Sequence, residues 1–258
     1  MTLGKPTVRN RSILQGHLAV PIARMKRLAF VMSGASLLTC GVVAWSFDAA
    51  EAASASRTYV IDYYGDSTIL IPVDQPSGTA PAILQSTLTA RCGFPVTVNT
   101  KGVTTTRAID ALSGTNGYLS TFADAMAASK ADMVIANYGI NDARLKTSAA
   151  EFRSAIAGLG ELARAHGKVM VYETANPVVD GSQTVIWDGE NAWLGTLAAT
   201  GISLAKSENA PVVDQYGYFM SLENYAALLF DGAHPTPATV RVKALRVADV
   251  VQPFACPS

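Results

Sequence analysis

A serine hydroxyl becomes a nucleophile near neutral pH only when a base stands beside it, so the few histidines of this chain are the natural starting point. The 258 residues contain three, and two of them, His166 and His234, fall after residue 56. His166 closes a long apolar-periodic stretch, where a partial positive charge suits a helix terminus. His234 lies in Asp-Gly-Ala-His-Pro-Thr at 231–236. If the chain uses a Ser–His mechanism, His234 is the base. Asp231, three residues earlier, can reach the other ring nitrogen in a tight turn and fix tautomer and orientation. The candidate hydroxyl is Ser67, in Tyr-Tyr-Gly-Asp-Ser-Thr-Ile at 63–69, where an apolar run is cut short. Gly65 would let the backbone turn sharply, and Asp66 would stiffen the turn by bonding neighbouring backbone. Taken singly, each segment is equally well explained as an ordinary turn, the second followed by a helix with Thr236 as cap and Pro237 in the first position.

Ester cleavage also needs preorganised donors for the oxyanion that forms. Ser67 opens a helix-like segment, so its own backbone N–H can point into a site with the helix dipole behind it. Gly102, in Asn-Thr-Lys-Gly-Val-Thr, permits close backbone approach and a second N–H. Asn141, in Asn-Tyr-Gly-Ile-Asn-Asp, can donate its side-chain amide. Each alone is a weak signal.

The elements that must position these residues follow from periodicity. Apolar, β-rich runs at 58–64, 94–100, 131–139, 168–177 and 210–216 alternate with helical stretches, the clearest at 149–167, where apolar residues recur every three or four positions before Gly167. Strands apolar nearly throughout and separated by helices predict a parallel sheet covered on both faces, a three-layer α/β/α domain. In such sheets ligands bind beyond the carboxyl ends of the strands. The polar clusters after the first, second, third and fifth runs all lie at that edge.

Gly-Asp-Ser-Thr with Ser67, Gly102, Gly-Ile-Asn-Asp with Asn141, and Asp-Gly-Ala-His-Pro-Thr with Asp231 and His234 occur in the order of the four sequence blocks of the SGNH hydrolases. The chain therefore resembles that superfamily, also called the GDSL esterase/lipases, from about Tyr59 onward. The resemblance implies a flavodoxin-like five-stranded parallel sheet. It also implies a triad of Ser67, His234 and Asp231, and an oxyanion hole built from Ser67, Gly102 and Asn141. Thr68 stands where the family name has leucine, and the second block lacks the further glycine many relatives carry.

Bulk composition narrows the rest. Lys and Arg number 20 against 20 Asp and Glu, and the first 56 residues are rich in basic ones, so the remainder is mildly acidic. Nothing there attracts nucleic acid or anionic lipid. Residues 1–56 read as an amino-terminal extension and a secretory signal peptide, with Lys26 and Arg27 before an apolar run and a small-x-small site at 50–52. An uncleaved membrane anchor over 28–47 is the alternative. Residues 57–258 are then expected to form one domain, which the resemblance makes an SGNH hydrolase domain, secreted or periplasmic. Cys92 and Cys256 remain, as one disulfide or as two unrelated thiols. No Cys/His metal spacing occurs, and no cofactor is implied. The expected partner is a small-molecule or polysaccharide ester, with no stable membrane partner once the signal is removed.

Substrate selection would lie in the loops at the polar edge. The irregular stretch 176–193 carries Trp187 and Trp193, which could stack on a sugar ring or line an acyl slot, or simply pack the following helix. The expected activity is that of a serine ester hydrolase of deacetylase or esterase type. The competing readings are an acyltransferase to a sugar hydroxyl using the same residues, a lysophospholipase or thioesterase, and a carbohydrate-binding protein that keeps the fold without activity.

Overall fold

The computed structural model describes residues 58–72, 78–182 and 189–256; the extension and signal or anchor expected over 1–56 lies outside them. Five parallel strands form one sheet: β1 (Tyr59–Gly65), β2 (Val96–Gly102), β3 (Met133–Tyr138), β4 (Val169–Thr174) and β5 (Val212–Val213), in the order β2-β1-β3-β4-β5. The eight described α-helices are α1 (Ala80–Cys92), α2 (Ala108–Ser113), α3 (Phe122–Ala128), α4 (Ile140–Arg144), α5 (Ala149–Ala165), α6 (Glu190–Ser207), α7 (Gln215–Met220) and α8 (Pro237–Ala255). This is the expected three-layer, flavodoxin-like α/β arrangement.

The sheet is buried on both faces because alternate strand residues supply two separate apolar layers. Ile61, Tyr63, Met133, Ile135 and Val171 face α1 and α8, meeting Leu84, Leu88, Val247 and Val251. Tyr64, Val134, Ala136, Met170 and Tyr172 face the other way, onto Phe122, Phe152, Leu159, Leu194 and Leu197. Local chemistry sets the helix ends. Ser148 and Glu151 form a reciprocal capping box that starts α5. Gly93, at φ 73°, ends α1.

Two expectations shift. The second strand begins at Val96 and runs on through Lys101 and Gly102, which the sequence suggested as loop. Their pairing with Tyr64 and Gly65 in the β1 register carries the ladder further. β5 is only two residues long. Cys92, at the end of α1, is joined to Cys256, which caps α8, with the α-carbons 5.2 Å apart. Among the described residues no helix is long and apolar enough to cross a membrane.

Candidate active site

β1 ends at Gly65, and packing is the reason this residue is a glycine. Its φ is not in the left-handed region, so the sharp turn expected of this glycine is not what requires it. A Cβ there would stand 3.0 Å from the Asn137 carbonyl oxygen and 3.1 Å from Ile69 Cδ1. Asp66 then adopts an extended conformation and caps a single 3₁₀ turn, Ser67–Ile69. Its Oδ1 accepts from the Thr68 backbone N–H at 2.9 Å and from the Thr68 hydroxyl at 2.8 Å. The threonine thus tethers the turn that presents Ser67 (the position where leucine would stand). Burial pushes the Asp66 carboxyl up, while the two Thr68 bonds and the charges of Lys243 and His234 oppose that rise.

The other half of the site comes from the turn that leads into α8. Gly232 sits at φ 88°, and a Cβ there would fall 2.5 Å from Ser182. That close approach lets Ser182 Oγ donate to the Asp231 carbonyl at 2.9 Å and the Val179 N–H donate to the Gly232 carbonyl at 2.7 Å. Asp231 Oδ1 accepts from the backbone N–H groups of Ala233, at 2.9 Å, and His234, at 2.7 Å. Asp231 Oδ2 lies 2.6 Å from His234 Nδ1. Burial alone would raise the Asp231 carboxyl, but the two His234 bonds and the Ala233 N–H hold it below its usual value. The turn ends where the Thr236 side chain accepts from the Thr239 N–H and Pro237 starts α8.

The two halves meet. Ser67 Oγ lies 2.9 Å from His234 Nε2, across 167 residues of chain. With a carboxylate facing Nδ1, the ring proton belongs there, and the Nε2 lone pair is left for the serine hydroxyl. An arrangement of this kind can deprotonate a hydroxyl as it attacks an electrophile and return the proton to a leaving group.

The remaining candidates have partners of their own. Asn141 lies in the first turn of α4, and its Nδ2 donates to the Thr106 carbonyl at 3.1 Å and, weakly, to Asp66 Oδ2 at 3.4 Å. Gly102 closes β2 directly opposite Gly65. Its lack of a side chain is required by Ile69, whose Cδ1 would be 2.9 Å from a Cβ. Trp193 is half-buried on α6, packs against the larger core, and donates its indole N–H to the Thr147 carbonyl at 2.9 Å. Trp187 lies outside the described residues.

Two features escaped the sequence reading. Phe230, 59% exposed, stacks on His234 with ring centroids 5.7 Å apart and planes 19° from parallel. Its position immediately before the Asp-Gly-Ala-His run was the available clue. A buried polar group, Glu173, Asn176 and Lys243, lies behind the histidine turn. Among the described residues no group of three His, Cys, Asp or Glu side chains could hold a metal ion.

Known proteins share this architecture. The chain superposes on a lipase/acylhydrolase from Enterococcus faecalis with a TM-score of 0.62 at 18% identity, covering 78% of this chain and 98% of that one. It also matches an acetylxylan esterase from Geobacillus stearothermophilus (TM-score 0.57, 19% identity, 75% and 93% covered). A carbohydrate acetylesterase from Sinorhizobium meliloti matches with a TM-score of 0.58, 16% identity, and 76% and 99% covered. No curated protein matches at the level of sequence. The model of the GDSL-like lipase/acylhydrolase family matches residues 62–242, which take in Ser67, Asn141, Asp231 and His234. With that match spanning most of the chain and the same five-stranded sheet beneath it, this protein belongs to the GDSL-like lipase/acylhydrolase family of esterases.

Proposed function

We propose that the protein hydrolyses a small or carbohydrate-linked ester, of the acetyl-ester type, through an acyl-enzyme on Ser67. The observation that carries this reading is the unbroken line from Asp231 Oδ2 to His234 Nδ1, 2.6 Å, and from His234 Nε2 to Ser67 Oγ, 2.9 Å. In the first step Ser67 Oγ attacks the ester carbonyl carbon while His234 Nε2 takes the hydroxyl proton. Asp231 stabilises the imidazolium without being protonated itself. The tetrahedral intermediate collapses by expelling the alcohol oxygen, which leaves with the proton held on Nε2. Water then adds to the acyl-serine by the same route and releases the carboxylic acid.

The oxyanion is assigned to the Ser67 backbone N–H and the Asn141 side-chain amide. Asn141 keeps its bond to Thr106 and redirects the N–H now spent on the long contact to Asp66. Gly102, held against Ile69, brings the end of β2 alongside Gly65. Because the Val103 N–H donates to the Gly65 carbonyl at 3.0 Å, the neighbouring Gly102 N–H turns to the other side of the strand, and this scheme gives it no donor role. The preference for a carbohydrate-linked ester draws support from the acetylxylan and carbohydrate acetylesterase structures that share the fold. The exposed Phe230 ring beside the base adds an apolar face for the cyclic alcohol. Export is part of the proposal, and the Cys92–Cys256 disulfide suits an oxidising compartment.

The test is labelling of the purified protein with a fluorophosphonate, followed by peptide mass spectrometry, alongside turnover of p-nitrophenyl acetate and acetylated xylo-oligosaccharide. The reading expects the label on Ser67, and expects Ser67→Ala to lose turnover with an unchanged melting temperature. Turnover surviving in Ser67→Ala, or a label on another serine, would overturn it.

A further inference from the structure

Behind the Asp231–His234 turn lies a second polar group that the reaction does not consume. Glu173 near the end of β4, Asn176 just beyond it, and Lys243 in the middle of α8 are all buried, at 3%, 0% and 2% exposure. Lys243 Nζ donates to Asn176 Oδ1 at 2.9 Å. Asn176 Nδ2 donates to the Ala233 carbonyl at 2.9 Å and to the Pro177 carbonyl at 3.0 Å. Glu173 accepts from the Tyr63 hydroxyl and, at 2.9 Å, from Gln215 Nε2. Gln215 Nε2 also donates to the Lys243 carbonyl at 3.1 Å. An ammonium this far from water is costly. Burial lowers the Lys243 pKa, and the carboxylates of Glu173 and Asp66 pull it back up. Packing does not explain the choice, since methionine would fill the same place on an apolar helix face.

The geometry shows what the ammonium touches and, through it, what is held. The peptide unit joining Ala233 to His234 is gripped at both ends. Its carbonyl accepts from Asn176 Nδ2 at 2.9 Å, and its N–H donates to Asp231 Oδ1 at 2.7 Å. That unit sets the direction in which the imidazole leaves the backbone. An asparagine amide fits its slot either way round, yet only one way offers the Ala233 carbonyl a donor. The ammonium on Oδ1 selects that way. Reversed, the amide would press its NH₂ against a cation and its oxygen against two carbonyl oxygens.

We propose that Lys243 and Asn176 are positioning residues for His234: the buried ammonium orients the Asn176 amide, and the amide holds the peptide unit that carries the imidazole. The catalytic consequence rests on the serine-esterase reading above; the orientation of His234 does not.

The test therefore reads orientation and rate separately, in Lys243→Met, Asn176→Asp and the double variant. Asn176→Asp keeps a partner for the ammonium while removing the donor to Ala233, so the fold has an anchor even if Lys243→Met does not fold. Orientation is read by proton NMR as the low-field imidazole N–H resonance that vanishes in His234→Ala. Each single variant is expected to lose or broaden that resonance. Each is also expected to lower kcat and the rate of Ser67 phosphonylation by about 10²-fold, the scale of a misplacement near 1 Å, with KM little changed. The double variant is expected to be no slower than the worse single one, because the two residues act through one contact chain. A wild-type resonance and wild-type rates in Asn176→Asp would overturn the proposal, as would additive losses in the double variant. Loss of the resonance in the variants of a protein that never reacts with an ester or phosphonate would defeat the esterase reading and leave the positioning role standing.

Discussion

His234 is engaged on both ring nitrogens, by a carboxylate at 2.6 Å and a hydroxyl at 2.9 Å, so in the proposed reaction the direction of proton flow is set by contacts already made in the free protein. Asp66, one residue from the serine, bonds Thr68 instead. Asn141 is the residue whose role is most open to measurement. Its amide is buried, one N–H is well committed to Thr106 at 3.1 Å, and the other makes only a 3.4 Å contact. If that second N–H meets the oxyanion, Asn141→Ala lowers kcat by about 10²–10³ with a smaller effect on KM. Wild-type kcat in this variant would remove Asn141 from the site.

At the scale of elements, the serine turn and the histidine turn are both held by close approaches that tolerate little change. Gly232→Ala places a Cβ 2.5 Å from Ser182 at φ 88°. The backbone strain alone amounts to about 1–2 kcal/mol. The variant should lose at least that in urea unfolding, and it should lose kcat as well, because the same glycine seats the Asp231–His234 turn. α4 carries a different device. Asp142 is fully buried at its start and accepts from the Ala108 N–H at 3.4 Å, while Oδ1 has no hydrogen-bond partner among the described residues. Burial pushes its carboxyl up from 3.8 to about 7, against the pull of the Ala108 bond. Between those two values the folded state holds a proton that the unfolded chain has given up, so this residue makes stability fall as pH rises through the window. Asp142→Asn should flatten that decline in melting temperatures recorded across the same range. An unchanged slope would show that another group titrates there.

For the whole molecule, α8 links the site to the far end of the domain. It begins just after His234, carries Lys243 beneath the sheet, and ends at the disulfide to α1. The cross-link closes a loop across 164 residues of separation. The entropy it removes from the unfolded chain is worth about 2–5 kcal/mol. Replacing both cysteines with serine should lower the melting temperature and leave kcat near wild type, because the bridge lies at the opposite end of α8 from His234. A large loss of kcat without loss of stability would show that α8 seats the histidine turn only when the bridge anchors its far end.

Much of this was readable from residue order alone. Apolar runs of strand length alternating with amphipathic stretches determine a covered parallel sheet, because backbone pairing and two-sided burial leave few other solutions. The same pattern put Ser67, Asn141, Asp231 and His234 at one edge, since clusters of polar residues follow the carboxyl ends of the apolar runs. The reason for Gly65 was not readable, because it depends on the approach of Asn137 and Ile69 from other elements. Lys243 was visible as a lysine on the apolar stripe Val240, Lys243, Val247, Val251, yet its partner Asn176 lies 67 residues away. Which polar atoms meet across such separations is decided by packing, which no local spacing encodes. Tertiary structure alone set the 2.9 Å between serine and histidine, the orientation of the Asn176 amide and the pairing of the two cysteines. Sequence determines which groups are available and at which edge, whereas hydrogen-bond geometry appears only once the layers close.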